Sequence, residues 1–417
     1  MMKKLLSLAV LALLISLPAQ AERLLTCGFE ENNLIETMWH STSLGGGASL
    51  TIVTTPVHSG TYSLRAENTG ANGQAEVRRL DFPAMTSGSV FNRFYFRWNI
   101  RPTANDTILY QESDGGGDAQ RIFLRGSSNG SAVLILENPP SSSTQTGTQA
   151  LTVDTWYRIE LDTLLSDTVG QVVLRLYEAD STTALETLTI NGGVDTLPTN
   201  IARMRWGAME ARTNYRFYFD DIAVNDSGGT FQNTQAGPGK VFLLEPSGDN
   251  TVTWTKDGSA AEATNWEGVD DLPGAPDDGV TYNSKTSNGT DKLDMTNLGA
   301  EVPSDADIIL VDVYGRQGSN GTAGTRVIDF ELWDEADSQN TLLDVDADIN
   351  GWVICTPDEH LVFDAGSRTK ANVDSFRVGY SRSIGGANEI RITAQWVNVE
   401  WIEAAAAPAF RPKVIVY

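Results

Sequence analysis

The sequence predicts an all-β protein made of two antiparallel β-sandwich domains in tandem. Short alternating runs recur along the chain, as in "SVFNRFYFRWNI" (Ser89–Ile100), where Phe94, Phe96 and Trp98 alternate with Arg93, Tyr95 and Arg97. Clusters of Gly, Asn, Ser and Asp separate the runs, for example "SDGGGD" at 113–118, "GSSNGS" at 126–131 and "NPPSSSTQTGTQ" at 138–149. Past the N-terminus no segment sustains a helical apolar period beyond a few turns, which argues against a βαβ architecture.

A length of 417 residues suits two large β domains better than one. Residues 1–21 read as an export signal: Lys3 and Lys4, the apolar core Leu5–Leu17, then the small-x-small site Ala19-Gln20-Ala21. That core is shorter than the roughly 20 residues of a spanning helix. The mature chain is therefore expected to be exported, extracellular or periplasmic, with no membrane insertion after cleavage. The first domain, 22–226, includes the strand-like "TWYRIEL" (Thr155–Leu161) and "QVVLRLYEA" (Gln171–Ala179) and closes on "RFYFDDIAVNDSGG". Residues 227–239 are rich in turn formers and read as a linker. The second domain, 240–403, resumes the rhythm with "KVFLLEP", "ADIILVDVYGR", "SFRVGYSR" and "EIRITAQWVNVEWIE", and 404–417 form a short tail.

A net charge of -24 and a pI near 4.4 repel nucleic acid and anionic lipid, which argues against both as partners. The same acidity leaves carboxylates for calcium. Two cysteines, Cys27 and Cys355, make no disulfide framework. Isolated buried thiols are expected, a single bridge being the alternative. His40, His58 and His360 are too widely spaced for a zinc site.

Three segments of the first domain, "CGFEENNLIETMW", "VHSGTYSLRA" and "FYFDDIAVND", together resemble the jelly-roll sandwiches of the laminin-G/concanavalin-like and carbohydrate-binding-module superfamilies. The resemblance implies a structural calcium ion between the first and last strands, at Glu30, Asp220 and Asp221. Strand alternation puts Asp220 in phase with Ile222 and Val224, leaning toward the core, where a carboxylate needs a cation or donors. The alternative is a solvated strand end.

Glycosidases of the laminarinase type on this fold carry Glu-x-Asp-x-x-Glu on one strand. Here Glu160 and Asp162 are present, but Leu165 replaces the second Glu, so no enzyme is expected, and Arg158, Glu160 and Asp162 are expected to face solvent. Asp344, Asp346 and Asp348 have calcium-loop spacing without the glycine and the final Glu of an EF-hand. The stretch Asp270–Gly279 reads as a solvated acidic loop. Glycan contact is expected through the aromatics Trp98, Trp206 and Tyr215, with Arg205, Glu210 and Arg212 as polar neighbours.

From Gly237 onward, "GPGKVFLLEPSGDNTVTWTKDG" and the later "SFRVGYSRS" and "ITAQWVNVEWIE" resemble a module of tailed-phage virion proteins that follows a laminin-G-like domain. The tandem implies a non-catalytic surface or structural protein, on a virion if phage-encoded, that self-assembles into a homo-oligomer and adheres to a glycan or cell-surface polysaccharide. An export signal departs from that pattern. The alternatives are a soluble secreted carbohydrate-binding protein and a divergent glycoside hydrolase or lyase.

Overall fold

A computed structural model describes residues 23–403 except 35–38, 71, 101–103, 127–130, 198, 229–231, 260–261, 320–326, 335, 347–350, 356–360, 363–366 and 383–388. The predicted signal, the tail, Asp348 and His360 lie outside the described residues, as do the side chains of Asp344, Asp346 and Cys355.

The protein is all-β, as the sequence predicts, and its sheets are antiparallel. Sheet I runs from Glu186–Val194 through Gly170–Glu178, Tyr157–Leu165, Gly88–Ile100, Tyr215–Asp226 and Ser63–Asn68 to Ser49–Val53. The first strand, Arg23–Cys27, also pairs with Tyr215–Asp226. Sheet II runs from Ser143–Thr146 through Ala132–Asn138, Asp118–Gly126, Asp106–Glu112, Arg203–Arg212 and Gly73–Arg79 to Ser41–Leu44. Between these sheets lie Phe94, Phe96, Phe217 and Phe219 from sheet I and Val77, Ile122 and Trp206 from sheet II.

The strands from Lys240 onward form two further sheets. Sheet III orders Thr255–Asp257, Tyr282–Lys285, Ile390–Ile402, Asp307–Ser319 and Gly351–Cys355, with Lys240–Leu244 added on Ile390–Ile402. Sheet IV orders Pro246–Thr251, Gly289–Met295, Arg377–Arg382, Val327–Trp333 and Gln339–Asp346. Val311, Val313, Val397 and Val399 face Phe330, Leu332 and Val378 across this second core.

Alternation along Ile390–Ile402 turns Trp396, Asn398 and Glu400 the other way, onto the first pair of sheets. Trp396 and Tyr314 stack at 5.5 Å and join the same apolar cluster as Leu25, Cys27 and Phe29. Glu400 meets Arg23 at 2.5 Å and Arg93 at 2.7 Å, all three side chains fully buried, and Thr26 Oγ1 donates to it at 3.1 Å. The two halves thus share a core and a buried ion triad. Low dielectric makes such a triad costly to break from one side. Cys27 is a free, buried thiol.

Part of the segment expected to be a linker is strapped to sheet I. Asn225 Nδ2 donates to the Thr234 carbonyl at 2.7 Å, and Arg93 Nη1 donates to that of Gly237 at 3.3 Å. Gln235 sits between the Glu160 carboxylate and the Arg175 guanidinium. This strap corrects the expectation of a solvent-facing charged strand. Arg158 and Glu160 point away from the core yet are only 2 % and 3 % exposed. They pair with each other at 2.8 Å, and Arg158 donates to the Ala179 and Ser181 carbonyls.

Candidate functional site

Two places concentrate chemistry. The first is the joint where the closing strand of sheet I meets the second pair of sheets. Register slips between Asp220 and Ala223, and Asp221 adopts φ +43, so a bulge takes Asp221 out of the ladder next to Asp220, which still pairs with Tyr95. Both are fully buried, which corrects the solvated strand end.

Buried carboxylates need donors, and the loop 58–62 supplies them. His58 N donates to Asp220 Oδ2 at 2.8 Å, and Ser59 Oγ reaches both Asp221 oxygens at 2.8 and 2.9 Å. His58 Nδ1 lies 2.6 Å from Asp221 Oδ2, and its Nε2 lies 3.3 Å from Asp180 Oδ1. The imidazole stacks on Tyr95 at 3.5 Å, and the Tyr95 hydroxyl donates to Asp180 at 2.6 Å. Glu30 accepts from Thr61 N at 2.9 Å and Tyr62 N at 3.1 Å. Gly60, just before them, has φ +61, and a Cβ there would stand 2.3 Å from Glu30 Oε1. From the second half, Val241 N donates to Asp221 Oδ1 at 2.8 Å, and Lys240 Nζ pairs with Asp180 at 2.9 Å.

Burial pushes the Glu30 carboxyl up to about 8, against the two backbone bonds that favour its charge. Burial, then the Asp221 charge, raises Asp220 well above the usual carboxylate range. Burial opposes a charged His58, but its bonds to Asp180 and Asp221 outweigh that and raise it.

The structure therefore brings Glu30, Asp220 and Asp221 to one joint. As a test of fit to calcium, the donors are the hard oxygens that ion takes. Each of the six carboxylate oxygens already accepts a hydrogen bond from the protein, Asp220 Oδ1 from Asp221 N. Among the described residues no three His, Cys, Asp or Glu side chains are grouped to hold a metal. Sequence reasoning missed His58, Ser59, Asp180 and Lys240. Only "VHSGTYSLRA" pointed at that loop, and only as a strand motif.

The second place is the outer face of sheet II. One cross-strand row spans all seven strands: Ser41 pairs with Arg78, Arg78 with Arg205, Arg205 with Tyr110, Tyr110 with Arg121, Arg121 with Glu137 and Glu137 with Thr144. Arg121 and Arg205 flank Tyr110, each guanidinium carbon 4.8 Å from the ring centroid. Carboxylates fix the forks. Arg205 Nε donates to Glu112 at 2.9 Å, Arg78 Nε to Glu76 at 2.9 Å, and Arg121 pairs with Asp118. The side chains of Arg78, Arg121 and Arg205 are 30, 25 and 22 % exposed, whereas Tyr110 between them is 9 % exposed, so the guanidinium groups rather than the ring meet solvent.

The structure corrects the aromatic half of the glycan expectation. Trp98, Trp206 and Tyr215 are core residues, none more than 3 % exposed, and they offer no ring face to a sugar. Of their polar neighbours, Arg205 belongs to the row. Glu210 accepts from Thr107 Oγ1 at 3.1 Å, and Arg212 Nε donates to the Asn105 carbonyl at 2.9 Å, at one end of the same strand.

Glu160 and Asp162 point away from the core, whereas Leu165 is buried in it. The strand pairs without a bulge on Gly88–Ile100, so the three positions do not share a face. The loop Asp270–Gly279 packs rather than floats: Asp278 takes Arg316 Nε at 2.6 Å, and Asp271 takes Thr393 Oγ1 at 2.7 Å.

No protein-family profile matches the chain, and no curated protein matches it. Similar solved structures are β-sandwiches related to carbohydrate-binding modules and jelly rolls. One is "Cellulose induced protein, Cip1", at 17% identity and a TM-score of 0.36, covering 51% of this chain and 99% of that one. A second is the carbohydrate esterase vb_24B_21 from the Shiga toxin-encoding bacteriophage phi24B, at 13% and 0.36, covering 49% and 98%. A third is the CBM22-1-CBM22-2 tandem of Paenibacillus barcinonensis Xyn10C, at 10% and 0.25, covering 91% and 99%. Likeness at this level assigns no activity.

Proposed function

We propose that the protein binds a carbohydrate on the outer face of sheet II and acts by adhesion rather than turnover. The observation that supports this is the Arg78–Arg205–Tyr110–Arg121 row. It is an ordered array of hydrogen-bonding forks around an aromatic ring, carried by strands rather than loops. Rigid strands set donor spacing in advance, which lowers the ordering cost of binding a repetitive polymer. Calcium belongs to the same proposal at the Glu30–Asp220–Asp221 joint, away from the sugar-contacting face, where it would have to displace hydrogen bonds that the six oxygens now accept.

The test is affinity electrophoresis of the whole chain through gels containing neutral and acidic polysaccharides. Retardation is expected with at least one of them. It should be lost on Arg205→Ala with Tyr110→Ala and kept on Arg97→Ala, whose side chain lies on sheet I. Free migration through every gel would overturn the proposal.

A further inference from the structure

We infer that the ligand of the sheet II face is an acidic polysaccharide, gripped through its uronate carboxylates. The inference rests on the glycan reading above and narrows it to a chemical class.

Two independent observations carry it. The first is compositional. Between Lys4 and Lys240 the chain contains no lysine, so every permanent cation of the first sandwich is arginine, whereas the residues from Lys240 onward use both. Lysine is a point charge; arginine is a planar fork that matches a carboxylate through two parallel bonds. A surface that needed charge only for solubility would have no reason to avoid lysine.

The second is positional. The fork-bearing row lies on one open face, and its neighbours extend it. Arg203 stands opposite Glu112, and Arg125 stands opposite Val133. Nε of Arg121 and of Arg203 has no hydrogen-bond partner but is closed to solvent, so neither offers a donor to a ligand. The face has its own acids, Glu76, Glu112, Asp118, Glu137 and Glu210, and each must be weighed. Glu76 and Glu112 orient Arg78 and Arg205, Asp118 and Glu137 hold Arg121, and Glu210 turns to Thr107. A guanidinium has five donors, so these contacts aim the forks without exhausting them. The net charge of -24 repels a polyanion at long range, but that field is screened within about 8 Å at physiological salt. Recognition is then decided by what the carboxylates touch.

The experiment is isothermal titration of the whole chain with oligogalacturonate and oligomannuronate, each beside its methyl ester, which keeps the sugar and removes the charge. The acid form is expected to bind at least about tenfold more tightly than its ester, the difference that one charge-assisted bond makes. Arg205→Lys and Arg125→Lys keep the charge and lose the fork. Each should weaken acid binding several-fold, and Arg125→Lys should do so with the thermal melt unchanged, because Arg125 has no side-chain partner among the described residues. Equal affinity for acid and ester would overturn the inference and leave the glycan reading standing, as would binding of neutral oligosaccharides alone. Lysine variants that bind the acid as well as the parent would also overturn it. If neither the acids, the esters nor a neutral panel bind, the glycan reading itself fails.

Discussion

Raising the pH should loosen the joint between the two halves, and Glu30 sets the scale. Its folded-state pKa is raised from 4.5 to about 8. The folded chain therefore keeps a proton that the unfolded chain releases. The stability this group contributes is full below pH 4.5, falls as pH rises, and is gone above about 8. The slope is about 1.4 kcal/mol per pH unit, and the whole span is worth about 5 kcal/mol. Glu30 is mostly buried, so solvent screening discounts this little. Asp220 shifts in the same direction, and the raised His58 adds stability that is present below 6.5 and lost as pH passes its folded value. Urea unfolding at pH 5, 6, 7, 8 and 9 should show falling stability in the parent and a flatter profile in Glu30→Gln. Parallel profiles would refute the reasoning. The proposed calcium ion adds a second test, because ionised carboxylates are the form that would bind it. Millimolar calcium should restore stability at pH 8 far more than at pH 5, and no effect of calcium or of chelation at pH 8 would remove the ion from the proposal.

Two further outcomes follow from burial. Glu400→Gln leaves Arg23 and Arg93 buried without their counter-charge and should cost roughly 3–5 kcal/mol in denaturant unfolding; replacing all three by Leu and Met should cost far less. Leu165→Glu, which restores the laminarinase-type spacing on paper, should destabilise by several kcal/mol and release no product from β-glucan, because it puts a carboxylate into the core; a stable, active variant would reopen the glycosidase reading.

What was legible in the sequence was periodicity. Phe94, Phe96 and Trp98 fill the core because strand alternation is local and independent of what lies beyond the sheet. The same alternation sorted Arg93, Tyr95, Arg158 and Glu160 onto the opposite face, but it could not say that this face is covered. Covering it takes Glu400, which lies 307 residues from Arg93, and a glycine-rich strap whose composition resembles a free linker. Trp206 failed for the converse reason: a tryptophan on a strand reads alike in a core and in a sugar platform, and only the facing sheet decides. Asp220 and Asp221 were found because two adjacent carboxylates in an apolar run contradict burial unless something answers them. The answer, His58 and Ser59, sits in a loop with no periodicity of its own. The Arg–Tyr–Arg row was invisible for a related reason. Its members come from separate strands, and only the register of the whole sheet places Arg78, Arg205, Tyr110 and Arg121 side by side. Such a row is a property of pairing across strands, so it is written at right angles to the direction in which a sequence is read.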